Sequence, residues 1–361
     1  MYVKAVLVAS AAFLVAALPG AAASRYDDGP CRAGRQAWTN DACAGKLWGL
    51  ARIAAPQAWR ITRGGGVRVA VVDTGTDFRH PDLRRRLVAV RGSDLTRNTA
   101  YRCPWERRGG KRARVLALDD NGHGTHVTGI VAARAGNGIG VAGVAPNARV
   151  LPVKVLDKKG SGTDATVARG VCFAVAHKAR VINLSLGEDP LQQLLVEGSG
   201  RKTAQAIDHA FKKGVAVVVA GGNSSFPLCG FRSVREQAVC VGAVERNDLK
   251  APYSNFGDST AVMAPGGAGG LQCRDDGDIW STIWPRSPDD CSHRGYQPLA
   301  GTSMAAPHVA GTAALVVARF GRRATPAFVY ARLRTTADDL GLPGADPLYG
   351  VGRINAERAL R

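Results

Sequence analysis

Four short stretches of the chain carry side chains able to do chemistry. VVDTGTD puts Asp73 at the end of an apolar run, and NGHGTHVTG holds His123 and His126 between glycines. AGGNSS supplies Asn223, and AGTSMAAPHVAG places Ser303 ahead of a run of small residues. The two histidines lie one helical turn apart and could meet a metal together. A zinc helix of the H-E-x-x-H kind needs a glutamate between them, and here Gly124 and Thr125 occupy those positions. The other reading is one catalytic base and one packing histidine. Asp73 also has two readings. The shared-proton dyad of aspartic proteases needs a second carboxylate. No second apolar-flanked D-T-G is present, so a homodimer would have to supply it. Otherwise Asp73 orients a histidine. Ser303 stands where a helix would begin, and the unpaired N–H groups and dipole there favour negative charge. An acyl-transfer oxyanion needs that support, and the amide of Asn223 could add to it. Pro307 would fall in the first turn, where proline is tolerated. Each stretch alone has a plainer reading: a turn Asp or Asn, or an N-cap serine.

The elements that must hold these groups alternate regularly. VRVAVVD (67–73), RVLPVKVL (149–156), RVINLSL (180–186), VAVVVAGGN (215–223) and AVCVGAV (238–244) read as buried parallel strands. Helical patterns fall near 124–134, 163–178, 202–213, 304–319 and 326–336. The expected fold class is α/β, a mainly parallel sheet flanked by helices on both faces. Such sheets place their sites at the carboxyl ends of the strands. Asp73 and Asn223 fall there. The stretches 93–118 and 266–299, rich in Gly, Pro, Cys and charge, read as surface insertions. Asn183 and Asn223 each head a glycosylation sequon, but both follow buried strands, so sugar attachment is not expected.

The chain has 361 residues, 45% of them hydrophobic and 21% charged, as in a globular enzyme. Its first residues, a lysine followed by the apolar run 5–18 and the small residues Ala21 to Ala23, read as a secretory signal peptide. We therefore expect a signal over 1–23, a short extension over 24–46 and one catalytic domain over 47–361. The product would be secreted, extracellular or periplasmic, with no stable membrane insertion after signal cleavage. Export suits the eight cysteines, whose even count fits disulfides in an oxidising compartment. Connectivity does not follow from sequence. Short spacings suggest Cys31–Cys43, Cys229–Cys240 and Cys273–Cys291, leaving Cys103 with Cys172 or both free. The formal net charge is +19, with one dense cluster, RRGGKRAR, at 107–114. That cluster has no interleaved aromatic residues and no recognition motif, so a solvated loop is expected and nucleic acid is not an expected partner.

Taken together and in the order Asp, His, Asn, Ser, the four stretches resemble the subtilisin-like serine proteases, from about Leu47 to the C-terminus. VVDTG, NGHGTHVTG, INLSLG, VVAGGN and GTSMAAPHVAG carry the resemblance. It implies a three-layer sandwich with a seven-stranded, mainly parallel sheet. It also implies a serine endopeptidase with Asp73 orienting the base, His123 as the base, Ser303 as the nucleophile and Asn223 in the oxyanion hole. His126 becomes a packing residue. Peptide or protein substrate would add as a strand between Gly160-Ser161-Gly162 and Ser185-Leu186-Gly187. Glu188 stands where a second glycine is frequent, and the loop after Asn223 is short, so the primary pocket departs from the common pattern. The chemistry needs no cofactor. AGNGIGVAGVAP (135–146) resembles the family's calcium loop, with Asn137 and Asp82 at ligand positions for a structural calcium ion. A monomer is expected. The stretch 24–46 is short for the family's folding prodomain, so the enzyme is expected to fold without one, its disulfides adding stability. A catalytically inactive binding protein on the same scaffold is the alternative.

Overall fold

Valine-rich runs without charge form strands that are buried on both faces, and the sheet is built from these. The computed structural model describes residue 26 and residues 36–107, 109–187, 200–228, 236–257, 262–269, 277–287 and 295–361. Six parallel strands lie in the order β2-β1-β3-β4-β5-β6. They are β1 (Arg68–Asp73), β2 (Arg149–Lys154), β3 (Val181–Leu184), β4 (Ala216–Ala220), β5 (Val239–Val244) and β6 (Val262–Pro265). The first five are the runs read from the sequence, trimmed at their ends. The resemblance implies a seventh strand. Among the described residues the outer edge of β2 carries two isolated parallel bridges, Leu87 to Val150 and Asp94 to Lys154, rather than a full strand.

Side chains of a strand alternate between faces, and the two core clusters follow that alternation. Val69 and Val71 of β1 belong to one cluster, Ala70 and Val72 to the other. On the first face lie α3 (His123–Ala132), α6 (Thr302–Phe320) and α7 (Pro326–Thr335). On the second lie α4 (Asp164–Ala176) and α5 (Arg201–Lys212). Short helices α1 (Trp48–Arg52), α2 (Ala55–Ala58) and α8 (Ala356–Ala359) complete the α-helices among the described residues, beside 3₁₀ turns at Ala44–Lys46 and Gly321–Arg323. α6 is buried on nearly all sides, and its Ala and Gly residues let it run close to β3, β4 and β5. No helix is long and apolar enough to cross a membrane, among the described residues.

Two expectations need correction. The stretch 266–299 is not wholly a surface insertion. Ile279–Thr282 (β7) and Tyr296–Leu299 (β8) pair antiparallel, and Trp280, Ser281, Thr282, Tyr296 and Gln297 are buried. This ribbon packs on α3: Ser281 Oγ donates to the His126 carbonyl at 2.7 Å, and Thr282 Oγ1 to that of Thr125 at 2.8 Å. The second correction concerns Pro307. α6 begins at Thr302, so Pro307 lies inside the helix rather than in its first turn.

Cys103 and Cys172 form a disulfide that ties the stretch 93–118 to α4 across 69 residues of sequence. Closing a loop of that length stabilises the fold by about 4 kcal/mol on the chain-entropy model. Cys43 and Cys240 are also disulfide-bonded. Cys31, Cys229, Cys273 and Cys291 lie outside the described residues, as does the stretch 1–23. In the basic cluster Arg107, Lys111, Arg112 and Arg114 are exposed.

Candidate active site

Three neighbouring strands bring chemistry to one edge of the sheet. β1 ends on Asp73, Ser185 follows β3, and Asn223 follows β4. The chain leaves β1 through Gly75 at φ +113°, and a Cβ there would meet the Leu118 carbonyl at 2.7 Å. α3 starts against this turn: a Cβ on Gly124 would lie 2.2 Å from the Gly75 oxygen. Glycine at both positions lets the helix start touch the strand end.

That approach joins Asp73 to His123. His123 Nδ1 lies 2.8 Å from Asp73 Oδ1. Asp73 is fully buried, while the His123 side chain is 28% exposed. A carboxylate only accepts, so the shared proton belongs to Nδ1, and in the neutral ring the lone pair is then on Nε2. The Thr74 N–H donates to the same Asp73 oxygen at 2.7 Å. His126 faces elsewhere. It is fully buried, its Nε2 donates to the Gln297 carbonyl at 3.1 Å, and burial pushes its pKa down to about 3. The two rings have separate partners, which does not suit a metal pair.

The other half of the site gathers at the start of α6. Ser303 Oγ donates to the Ser185 carbonyl at 3.3 Å. In return Ser185 Oγ donates to the Ser303 carbonyl at 2.7 Å and accepts from Asn183 Nδ2 at 2.9 Å. The second bond has a cause in the sequence. A helix would satisfy the Ser303 carbonyl with the N–H four residues on, and that residue is Pro307, which has none. Ser185 takes its place.

Asn223 is oriented by Thr302. The Thr302 N–H reaches Asn223 Oδ1 at 2.9 Å, and Thr302 Oγ1 reaches it at 2.8 Å. An N–H can only donate, so the atom facing Thr302 is the amide oxygen and the NH₂ group turns outward. The Gly222 N–H donates to Thr302 Oγ1 at 3.0 Å, which directs the hydroxyl proton toward Asn223. A Cβ placed on Gly301 would lie 3.4 Å from Asn223 Nδ2 and 3.6 Å from Ser303 N, so both donors border one small volume.

The stretches expected to bind substrate are exposed where backbone access requires it. Gly160, Ser161, Gly162 and Gly187 face solvent, Leu186 is half-buried and Ser185 is buried. Asp157 shapes the first stretch: its carboxylate accepts from the Lys159 and Ser161 amides at 2.8 and 3.0 Å. Those bonds hold its pKa below the ordinary range. Glu188 lies outside the described residues.

Asp82 and Asn137 lie side by side. Asn137 Nδ2 donates to Asp82 Oδ1 at 2.6 Å, and the Val141 N–H to Oδ2 at 3.0 Å. Burial pushes Asp82 up to about 7. Asp41, missed in the sequence, is also fully buried and accepts from the Gly136 and Asn137 amides at 2.8 and 2.9 Å. Neither carboxylate is ion-paired to a basic side chain among the described residues. Asp82 and Asp41 are buried carboxylates that offer oxygen ligands, and such donors suit a hard divalent ion. The residues therefore fit calcium.

Fold and site together define an α/β protein in which a strand-end carboxylate pairs with an imidazole and a serine begins a buried helix. The subtilase family model matches residues 64–352, and the chain belongs to that family. It is 37% identical over 316 residues to thermitase from Thermoactinomyces vulgaris, covering 88% of this chain and 96% of that protein. It is 38% identical over 319 residues to subtilisin Savinase from Lederbergia lenta, covering 87% and 98%. A solved protease structure from Pseudoalteromonas arctica superposes with a TM-score of 0.72 at 32% identity, covering 90% of this chain and 99% of that one. The chain is a serine-type endopeptidase, and the dimeric aspartic protease reading of Asp73 is set aside.

Sequence reasoning missed Thr74, Asp119, Lys154, Asn255 and the orienting part of Thr302. Asn255 holds the turn after β4: its Nδ2 donates to the Gly221 and Leu228 carbonyls at 3.0 and 3.1 Å. Thr74 and Thr302 adjoin Asp73 and Ser303 in sequence, and that adjacency was the available signal.

Proposed function

We propose that this protease is secreted and cleaves peptide bonds with Asp73, His123 and Ser303, assisted by Asn223. The observation that carries the reading is the Asp73–His123 hydrogen bond, which holds the Nδ1 proton and makes Nε2 the basic nitrogen of the neutral ring. His123 Nε2 takes the Ser303 hydroxyl proton as Oγ attacks the peptide carbonyl. Asn223 Nδ2–H and the Ser303 N–H donate to the oxyanion. The imidazolium, stabilised by Asp73, then protonates the leaving amine, and water repeats the sequence to release the acyl group. Backbone groups of Gly160 to Gly162 and Ser185 to Gly187 pair with an extended peptide. The signal ends at residue 23, the extension runs over 24–46, and the catalytic domain over 47–361 works as a monomer.

Asp82, Asn137 and Asp41 would hold a calcium ion whose role is structural, and no chemical step passes through it. Chelation should lower the melting temperature of the wild type and leave an Asp82→Asn variant, already less stable, unmoved. An equal chelator effect on both would remove the ion from these residues.

The catalytic assignment is tested by a fluorophosphonate, which should label Ser303 in the folded wild type and neither Ser303→Ala nor His123→Ala. A well-folded wild type that resists labelling would leave the inactive-scaffold reading standing instead.

A further inference from the structure

Behind the catalytic pair lies a second buried carboxylate that the mechanism above does not use. Asp119 is 6% exposed and immediately precedes the stretch that starts α3. Its Oδ1 accepts from Thr74 Oγ1 at 2.9 Å, from the Asn121 N–H at 3.1 Å and from the Gly122 N–H at 3.0 Å. Its Oδ2 accepts from the Thr125 N–H at 2.9 Å and from Thr125 Oγ1 at 2.5 Å. We propose that Asp119 is a positioning residue that sets the Asp73–His123 hydrogen bond and, through its charge, favours the imidazolium. The proposal rests on the reading of His123 as the general base.

A helix cap needs only amides of the first turn. Asp119 also holds Thr74, and Thr74 is the link to the acid side of the pair. The Thr74 N–H donates to Asp73 Oδ1, while Thr74 Oγ1 accepts from the Gly124 N–H at 2.9 Å. One carboxylate thus grips the residue after Asp73 and the residues on both sides of His123. The relative placement of strand end and helix start is fixed at that point, and small displacements there are costly in rate.

The charge argument depends on what else is near. Lys154 Nζ does not neutralise Asp119. It donates to Asp120 Oδ1, to the Thr74 carbonyl and to the Leu156 carbonyl, at 2.7, 2.7 and 2.8 Å. Asp77 approaches through its N–H, which donates to Thr125 Oγ1 at 3.0 Å. The groups facing Asp119 are therefore Asp73, Asp77, the Asp120–Lys154 pair and His123. Asp119 sits with its negative charge at the N-terminus of α3, the end where His123 becomes cationic in the reaction.

The test uses the full chain and compares wild type with Asp119→Asn. The variant should keep its far-UV circular dichroism, lose at least ~10-fold in kcat and in fluorophosphonate labelling rate, and hold KM within about twofold. The acidic limb of its kcat/KM profile should move to lower pH, since removing a nearby negative charge disfavours the imidazolium. A structural prop would lower the folded fraction without moving that limb. If Asp119→Asn does not fold, Thr74→Val decides: it should lose rate, and Thr74→Ser should restore it. Wild-type labelling rate and an unmoved acidic limb in folded Asp119→Asn, or wild-type kinetics in Thr74→Val, would overturn the proposal. Failure of the wild type itself to react would instead overturn the triad reading beneath it.

Discussion

The two halves of the site are built on opposite plans. On the Asp73–His123 side the functional groups are fixed by carboxylates: Asp73 is fully buried, and Asp119 gathers donors from two segments. On the Ser303–Asn223 side no carboxylate takes part in the contacts described above. Hydroxyls do the work, Thr302 Oγ1 turning Asn223 and Ser185 Oγ satisfying the carbonyl that Pro307 leaves open. One half fixes a charge that must be present before reaction. In the proposed mechanism the other must stay uncharged until the oxyanion forms, so neutral donors are suited to it. If this contrast is right, the two halves should fail differently when broken.

The largest difference should separate His123 from its neighbour His126. His123→Ala should lose kcat on the order of a million-fold, the size known for removing the base from subtilisin, while melting near the wild-type temperature. His126→Ala should do the reverse: it should lose stability by about 2–4 kcal/mol from an unfilled buried site and retain most of its kcat. Activity assays and thermal melts on both variants check this, and equal kcat losses would break the distinction between the rings.

The neutral half should fail by smaller steps. Asn223→Ala should lose ~100-fold to ~1000-fold in kcat, the range found for the equivalent loss in subtilisin. Thr302→Val should lose part of that, because the amide is then oriented by the Thr302 N–H alone, and Thr302→Ser should recover it. A Thr302→Val enzyme with unchanged kcat would show that the hydroxyl is not needed for orientation.

The difference between the halves also governs what could be read in the sequence. Asp73, His123, Ser303 and Asn223 were legible because each sits in a short stretch with glycines and an apolar run beside it. Strands β1 to β5 were legible because valine runs buried on both faces leave little ambiguity. β7 and β8 were not. IWST and YQPL are short, mix polar with apolar residues, and are buried by segments distant in sequence, β7 against α3 and Tyr296 of β8 against His80. In the sequence Asp119 is one of two adjacent aspartates, with no pattern around it that marks a role. Its role depends on Thr74, which is 45 residues away, and no local pattern reports that contact. Asp41 was hidden for the same reason, its partners lying 95 and 96 residues off.

A smaller test isolates the Pro307 device. Ser185→Ala leaves the Ser303 carbonyl without its donor and should cost about 1–3 kcal/mol of stability. Pro307→Ala restores an N–H four residues on. In that background Ser185→Ala should cost markedly less, and denaturant unfolding of the four proteins measures the coupling. Additive costs would mean that Ser185 does not substitute for the missing helix bond.

The smallest effect per step concerns histidines that never enter the chemistry. His308 Nδ1 donates to the Met304 carbonyl at 2.8 Å, and burial pushes its pKa down to about 4. His126 is pushed down to about 3 by the same cause. In the unfolded chain both return to about 6.5. Between those limits the unfolded state binds protons that the folded state refuses. Stability is therefore fully present above pH 6.5 and falls as the pH drops below it, by at most ~1.4 kcal/mol per pH unit for each ring, levelling off near the folded values. Replacing His308 by Gln should make the acid slope shallower by one proton, without touching the triad. Stability curves between pH 4 and 7 for the wild type and His308→Gln, in an inhibitor-blocked form to prevent self-digestion, would measure it. A slope identical in both proteins would mean that the His308 ring accepts its proton inside the fold, and that burial at this end of α6 does not exclude charge as it does beneath His123.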